Sequence, residues 1–252
     1  MHLMQAVLAV LCGGLVGFTL GLIGGGGSIM ATPLLLYVVG LAPHQAIGTG
    51  ALAVSVNAFI NCAGHARAGN VRWRSAIVFA VSGMAGAALG STLGKAFDGK
   101  RLLFLFAILM IVVGALMLRP RLAVSAGERK DSLLRVIAAA LGVGTLSGFF
   151  GIGGGFLIVP GILFSTGMPM LKAVGSSLLA VGTFGMTTAV NYAMSGLVVW
   201  PIAGEYIAGG VAGGMAGMAL ASRLAPRKAL LNQIFASFVF IVAIYMLYRT
   251  SA

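Results

Sequence analysis

Gly24, Gly25, Gly26, Gly27 and Ser28, separated by four residues from Pro33, recur 127 positions later as Gly151, Ile152, Gly153, Gly154 and Gly155 with Pro160. Glycine reaches φ > 0 and lets successive backbone N–H groups converge on one point. Where such a loop opens a helix, its free N–H groups and the helix dipole attract an anion. Two such ends meeting near the middle of a membrane would hold an oxyanion with peptide amides alone, without a buried Lys or Arg. The plainer alternative is that the glycines only permit close helix packing. A duplicated cluster followed both times by proline favours binding, with Gly24, Gly25, Gly26, Gly27, Ser28, Gly151, Gly153, Gly154 and Gly155 as candidates.

Polar residues follow each cluster. Ala46-Ile47-Gly48-Thr49-Gly50 matches Ala173-Val174-Gly175-Ser176-Ser177. The hydroxyls of Thr49, Ser176 and Ser177 suit donation to substrate oxygens; the alternative is bonding back to the i−4 carbonyl. Asn57 and Asn61 are four apart and share a helix face, and Asn191 lies deep in the matching segment. Amides in hydrocarbon are costly unless paired, so they either glue helices or line a polar pathway. At the repeat offset Asn57 meets Phe184 and Asn61 meets Thr188, so any such pathway is asymmetric. His65 and Glu205 are the ionisable residues that could carry a coupling proton; both sit near segment ends, where an interfacial, water-contacting role is the simpler reading. The sequence offers no metal site and no cofactor motif. Ser176 and Ser177 with His65 lack an orienting acid, which argues against an enzyme.

The elements that must position these residues are the helices of an all-α integral membrane protein. Of the 252 residues, 60% are hydrophobic and 8% charged, and mean hydropathy is +1.07. No Lys, Arg, Asp or Glu precedes Arg67, and 173–204 is also free of them. Runs this long hold several segments of about 20 apolar residues, enough to cross hydrocarbon. The pattern is not one of alternating ten-residue strands, so a β-barrel is disfavoured. The +12 charge sits in short patches between apolar segments, which fits topology determinants and not nucleic acid. Cys12 and Cys62 read as small core residues, and the apolar N-terminus carries no basic n-region of a signal peptide.

Identities held at the 127-residue offset divide the chain into repeats at 1–118 and 136–252, joined by a polar linker at 119–135. Each half reads as five apolar segments: Leu3–Ile23, Ile29–Leu41, Ala46–Gly64, Ser75–Gly94 and Leu102–Leu118, then Val136–Phe150, Phe156–Phe164, Ala173–Met194, Pro201–Ser222 and Ala229–Tyr248. The opening pair of the second half is too short to cross a core of about 30 Å, which predicts a re-entrant or broken hairpin with the glycines at its tip. Leu3–Ile23 is long enough to span alone. With hairpins plus three crossings per half, the loops 65–74, 119–135, 166–172 and 223–228 share a side that holds 12 of the 16 Lys and Arg residues. That bias marks the cytoplasm, makes the halves inverted repeats, and leaves both termini outside. Two full crossings in place of each hairpin give the same parity. Gly86, Gly90 and Gly94, and again Gly209, Gly213 and Gly217, are spaced for close helix approach within the fold or across a homodimer.

The paired G-x-G-G-G-x₄-P motif, the Ala-x-Gly-Thr/Ser step after it and the two-half layout resemble the TauE/SafE sulfite exporter family. Gly151, Gly153, Gly154, Gly155 and Pro160 carry the resemblance, with Ala173, Gly175 and Ser176 behind them; in the first copy Gly25 and Ser28 depart from the pattern. The resemblance implies an integral protein of the bacterial inner membrane, which makes the outer side on which the charge bias leaves both termini the periplasm. It also implies a secondary transporter moving a small anion such as sulfite, sulfoacetate or a related organosulfonate by alternating access. A passive anion channel and, further off, an intramembrane enzyme are the rival readings. No nucleotide-binding motif is present, so the expected partners are a small anion and the lipid bilayer.

Overall fold

A computed structural model describes residues 2–118, 133–151, 155–168, 170–223 and 240–248. In chain order the elements are α1 (His2–Ile23), a 3-10 turn (Gly25–Met30), α2 (Ala31–Tyr37), α3 (Pro43–Arg67), α4 (Trp73–Ala96), α5 (Gly99–Leu118), α6 (Leu133–Phe150), α7 (Gly155–Thr166), α8 (Met170–Ala193) and α9 (Trp200–Arg223). Residues 240–248 are also helical, and the rest of the expected last segment lies outside the described residues, as does 119–132 of the linker. Among the described residues there is no strand. Among the described residues five helices (α1, α3, α4, α6 and α8) are long and apolar enough to cross a membrane, so the chain is a multi-pass membrane protein.

α6 differs from expectation. It starts at Leu133, inside the expected linker, and its 18 residues reach about 27 Å. The charge of Arg135 hid this start: a long Arg side chain extends from an apolar helix end to water, and Arg135 is exposed. By length and composition α6 therefore qualifies as a span. The segments that follow the glycines remain short, with seven residues in α2 and 12 in α7.

Packing is crosswise between the halves. α1 lies on α9, α6 lies on α4, and α3 packs on α8 at the centre. Glycine permits the first two contacts: a Cβ on Gly17 would strike the backbone of Gly210, and one on Gly144 the backbone of Gly83. Gly17 and Gly144 are repeat counterparts, as are Gly210 and Gly83. The same holds for Gly21 on Gly214 and Gly148 on Ala87. Small residues at these crossings let backbones touch, which is how apolar helices gain van der Waals energy where lipid removes the hydrophobic drive.

Residue pairings fix helix directions. Val10, Gly14 and Phe18 meet Gly209, Gly213 and Gly217 in order, so α1 and α9 are parallel. Leu141, Thr145 and Phe149 meet Gly86, Gly90 and Gly94, so α6 and α4 are parallel. α3 runs parallel to α9, through Asn57 on Gly210 and Asn61 on Gly214, and antiparallel to α8. Thus α1, α3 and α9 share one direction, and α4, α6 and α8 the other. Ser55 Oγ donates to the Gly182 carbonyl, and these two residues are themselves counterparts 127 apart. The two-fold relation of the contacts therefore passes between them. Among the described residues, the six glycines with positive φ also pair at this offset: Gly24 with Gly151, Gly40 with Gly167 and Gly69 with Gly196.

Candidate functional site

Each glycine turn docks on the central helix of the opposite half. Gly24 has φ 79° and Gly151 has φ 65°. A Cβ on Gly24 would run into the Val174 side chain of α8, and one on Gly151 into Ile47 of α3. Glycine is required at both turns, for the left-handed backbone and for the close approach. Beyond Gly24 the chain folds back on α1, because Gly27 lies against Thr19 and Leu20. Gly25, Gly26, Gly27 and Ser28 form the start of the 3-10 turn, with Ser28 fully buried. That turn packs against α7, which opens at Gly155. Gly153 and Gly154 lie outside the described residues.

Gly24 and Gly151 themselves lie apart, on opposite sides of the centre. Ile47 lies eight residues before Ser55 (55 − 47), and Val174 lies eight before Gly182 (182 − 174). Since α3 and α8 are antiparallel, the turns sit about 12 Å to either side of the crossing point. Helix length is the cause: α1 has 22 residues and runs past the centre before Gly24. The returning segments, the 3-10 turn and α7, are what come together.

The hydroxyls tie the halves. Val199 N–H donates to Thr49 Oγ1 at 3.0 Å, and Arg72 N–H donates to Ser176 Oγ at 2.9 Å. Val199 and Arg72 immediately precede α9 and α4, whose first N–H groups lack intrahelical acceptors. Thr49 and Ser176 thus cap helices of the opposite half, at counterpart positions, and each keeps an O–H free to donate. Ser177 Oγ donates to the Val174 carbonyl at 2.7 Å. Thr49→Val and Ser176→Ala are each expected to lower unfolding free energy by about 1 kcal/mol, seen as a lower thermal midpoint in detergent. Unchanged midpoints would contradict the capping role.

Asn57 and Asn61 are 1% and 2% exposed and face α9 where Gly210 and Gly214 leave room. Asn61 Nδ2 donates to the Asn57 carbonyl at 2.9 Å; neither polar side-chain atom of Asn57 has a partner, nor does Asn61 Oδ1. At the counterpart position Phe184 stacks on Phe79, with centroids 6.1 Å apart. Asn191 lies far from the Gly24 turn, at the end of the bundle where Gly151 docks on Ile47 and Gly48 packs on Tyr192. It lies 15 residues beyond Ser176 on α8, roughly 22 Å along the axis. There its Nδ2 donates to Ser91 Oγ at 2.6 Å and Thr92 Oγ1 at 2.9 Å, and Lys95 Nζ donates to its carbonyl at 3.0 Å. Glu205 is half-buried in the second turn of α9. His65 departs from the water-contacting reading: it is 9% exposed, and neither ring nitrogen has a partner.

Buried orphans that escaped the sequence reading include Ser147 of α6, whose hydroxyl has no partner, and two others. Thr32, just past the first glycine cluster, and Tyr206, on the α9 face of Gly210, each have an unpartnered hydroxyl. Thr32 carried a signal, being a hydroxyl inside the apolar stretch between the glycines and Pro33. Tyr206 carried none, because tyrosine passes as apolar in hydropathy.

The sulfite exporter TauE/SafE family model matches residues 9–246. A probable membrane transporter protein of Xylella fastidiosa is 54% identical over 257 residues, covering 100% of this chain and 98% of the relative. Probable membrane transporter protein YunE of Bacillus subtilis is 26% identical over 82% of this chain and 85% of its own length. A probable membrane transporter protein of Methanocaldococcus jannaschii is 29% identical over 72% and 68%. No solved structure gives a significant match. With a family match over nearly its whole length and helices built to cross a bilayer, the chain belongs to the TauE/SafE sulfite exporter family of membrane transporters.

Proposed function

We propose that the chain is a secondary transporter that moves a small oxyanion, such as sulfite, sulfoacetate or a related organosulfonate, by alternating access between inverted repeats. One observation carries the mechanism: contacts between the halves occur twice, about the Ser55–Gly182 crossing, while counterpart helices point in opposite directions. In such an arrangement, exchanging small differences between the halves turns a form open to one side into a form open to the other. The glycine turns, docked at opposite ends on α8 and α3, are the parts that would loosen in alternation.

The anionic substrate is supported by chemistry and by the family's description. Among the described residues the only carboxylates are Asp98 and Glu205, near the end where α4 finishes and α9 begins. The turns and returning segments instead offer backbone N–H groups and the unpartnered hydroxyl of Thr32. Amides and hydroxyls bind oxyanions without the desolvation cost of a buried cation. The basic loops favour a cytoplasmic side for the end where α3 finishes, in a bacterial inner membrane.

The test is flux of sulfite, sulfoacetate and sulfate into proteoliposomes. Saturable flux of at least one anion, accelerated by the same anion on the far side, is expected. Unsaturable flux would favour a channel, and no flux of any would remove the anion assignment.

A further inference from the structure

Asn57, Asn61 and His65 recur every fourth residue and form one stripe along α3. All three are at least nine-tenths buried, and all keep polar atoms without partners: Asn57 Nδ2 and Oδ1, Asn61 Oδ1, and both ring nitrogens of His65. Native interiors rarely leave so many polar atoms unpaired, so this stripe is a place where water, a proton or substrate completes the bonding. The matching stripe on α8 reads Phe184, Thr188 and Tyr192, so the line is polar and titratable near neutrality in one half only.

The stripe ends at the level of the first glycine turn. Gly21 of α1 and Asn61 of α3 both sit on Gly214, and the two helices are parallel. One turn further on, α1 reaches Gly24 and α3 reaches His65. Consecutive residues of α8 join the two places: Val174 meets Gly24, and Gly175 meets the carbonyl of Asn70, whose N–H donates to the His65 carbonyl at 2.9 Å.

We propose that His65 takes up the proton that accompanies the transported anion, so that the chain moves anion and proton together. This rests on the anion-transport reading above. The charges around that end supply the coupling. Arg67 closes α3, Arg72 and Arg74 flank the start of α4, Lys172 lies in the first turn of α8, and Arg223 ends α9. On the other elements packed against α3, the titratable groups are His2 and Cys12 of α1, Tyr37 of α2, Lys100 and Arg101 of α5, Tyr192 of α8, and Glu205 and Tyr206 of α9; His2, Glu205, Tyr206, Tyr192, Lys100 and Arg101 belong to the opposite end. No carboxylate among the described residues faces His65 as a counter-charge. A buried imidazolium among cations is costly until an opposite charge arrives. The anion is that charge: its arrival favours the proton on the ring, and by linkage the proton favours the anion. The proton comes from water onto a ring nitrogen and returns to water when the anion leaves; no covalent bond between heavy atoms changes.

The test is titration calorimetry of purified protein with sulfoacetate, whose own acid groups stay ionised near neutral pH, in two buffers of different ionisation enthalpy. Wild type is expected to take up about one proton per bound anion. His65→Gln should still bind sulfoacetate but take up none, and His44→Gln should behave as wild type. Anion binding to wild type with no proton uptake would overturn the proposal and leave the anion reading standing. Uptake that persists in His65→Gln would overturn it equally. No binding of sulfoacetate, sulfite or sulfate to wild type would sink both readings. If His65→Gln does not fold, His65→Asn replaces it, and the wild-type proton count still decides against the proposal if it is zero.

Discussion

Gly17→Leu is expected to leave almost no folded protein, while Gly142→Leu folds at least as well as wild type. Both glycines lie inside helices, and leucine is the better helix former at either position by roughly 0.8 kcal/mol. Local propensity therefore predicts stabilisation in both variants. Packing reverses the sign at one of them. The first carbon added at Gly17 strikes the backbone of Gly210, which cannot rotate aside as a side chain can. α1 and α9 would have to separate along their whole contact, losing the neighbouring approaches of Gly13 to Tyr206 and Gly21 to Gly214. Overpacking a core typically costs about 1–3 kcal/mol; prying backbones apart belongs at or beyond the upper end. Gly142 has nothing within 4 Å of an added Cβ. Size-exclusion yield and thermal midpoint in detergent separate the two. Gly144→Leu, at the counterpart of Gly17, should fail in the same way, because it meets Gly83. If Gly17→Leu folded as well as Gly142→Leu, the crosswise helix pairing would be wrong.

The sequence carried the helices and their duplication but not their partners. The stripes Gly86–Gly90–Gly94 and Gly209–Gly213–Gly217 were legible as packing surfaces, because small residues four apart have few other uses in an apolar helix. That each stripe receives the first helix of the opposite half was not legible, since hydropathy is alike for every apolar neighbour. α6 was misread at its start because a hydropathy window treats Arg135 as a boundary, whereas an arginine can reach water from within a helix. The candidate site divides in the same way. Its glycines were legible from duplication. The separation of Gly24 from Gly151 across Ser55–Gly182 depends on where α1 and α6 cross the bundle, which is a tertiary fact. Thr49 and Ser176 were read as candidate substrate donors; as acceptors for Val199 and Arg72 N–H groups they join residues 150 and 104 positions apart. The burial of His65 was hidden by its place beside a basic loop.

Gly24→Ala is expected to cost far more than Gly40→Ala, although the two backbones are nearly the same, with φ 79° and 82°. Alanine in the left-handed region costs roughly 1–2 kcal/mol at either position. At Gly40 that is the whole effect, because nothing lies within 4 Å of the new methyl group. At Gly24 the methyl meets the Val174 side chain, adding about 1–3 kcal/mol. The excess can be isolated. Val174→Ala removes the obstructing methyls, so the pair Gly24→Ala with Val174→Ala should recover about 1–2 kcal/mol relative to additivity. The counterpart pair, Gly151→Ala with Ile47→Ala, should show coupling of the same sign. Thermal or denaturant unfolding in detergent measures these cycles, and anion flux on the same variants ties them to function. A turn that touches the other half's central helix cannot be displaced without moving that helix. Gly24→Ala should therefore reduce transport by about tenfold or more, beyond the reduction from lost folded protein, and Gly40→Ala should not. Zero coupling at both pairs would mean that the turns slide freely over Val174 and Ile47. Alternation between the two ends would then need another mechanical link.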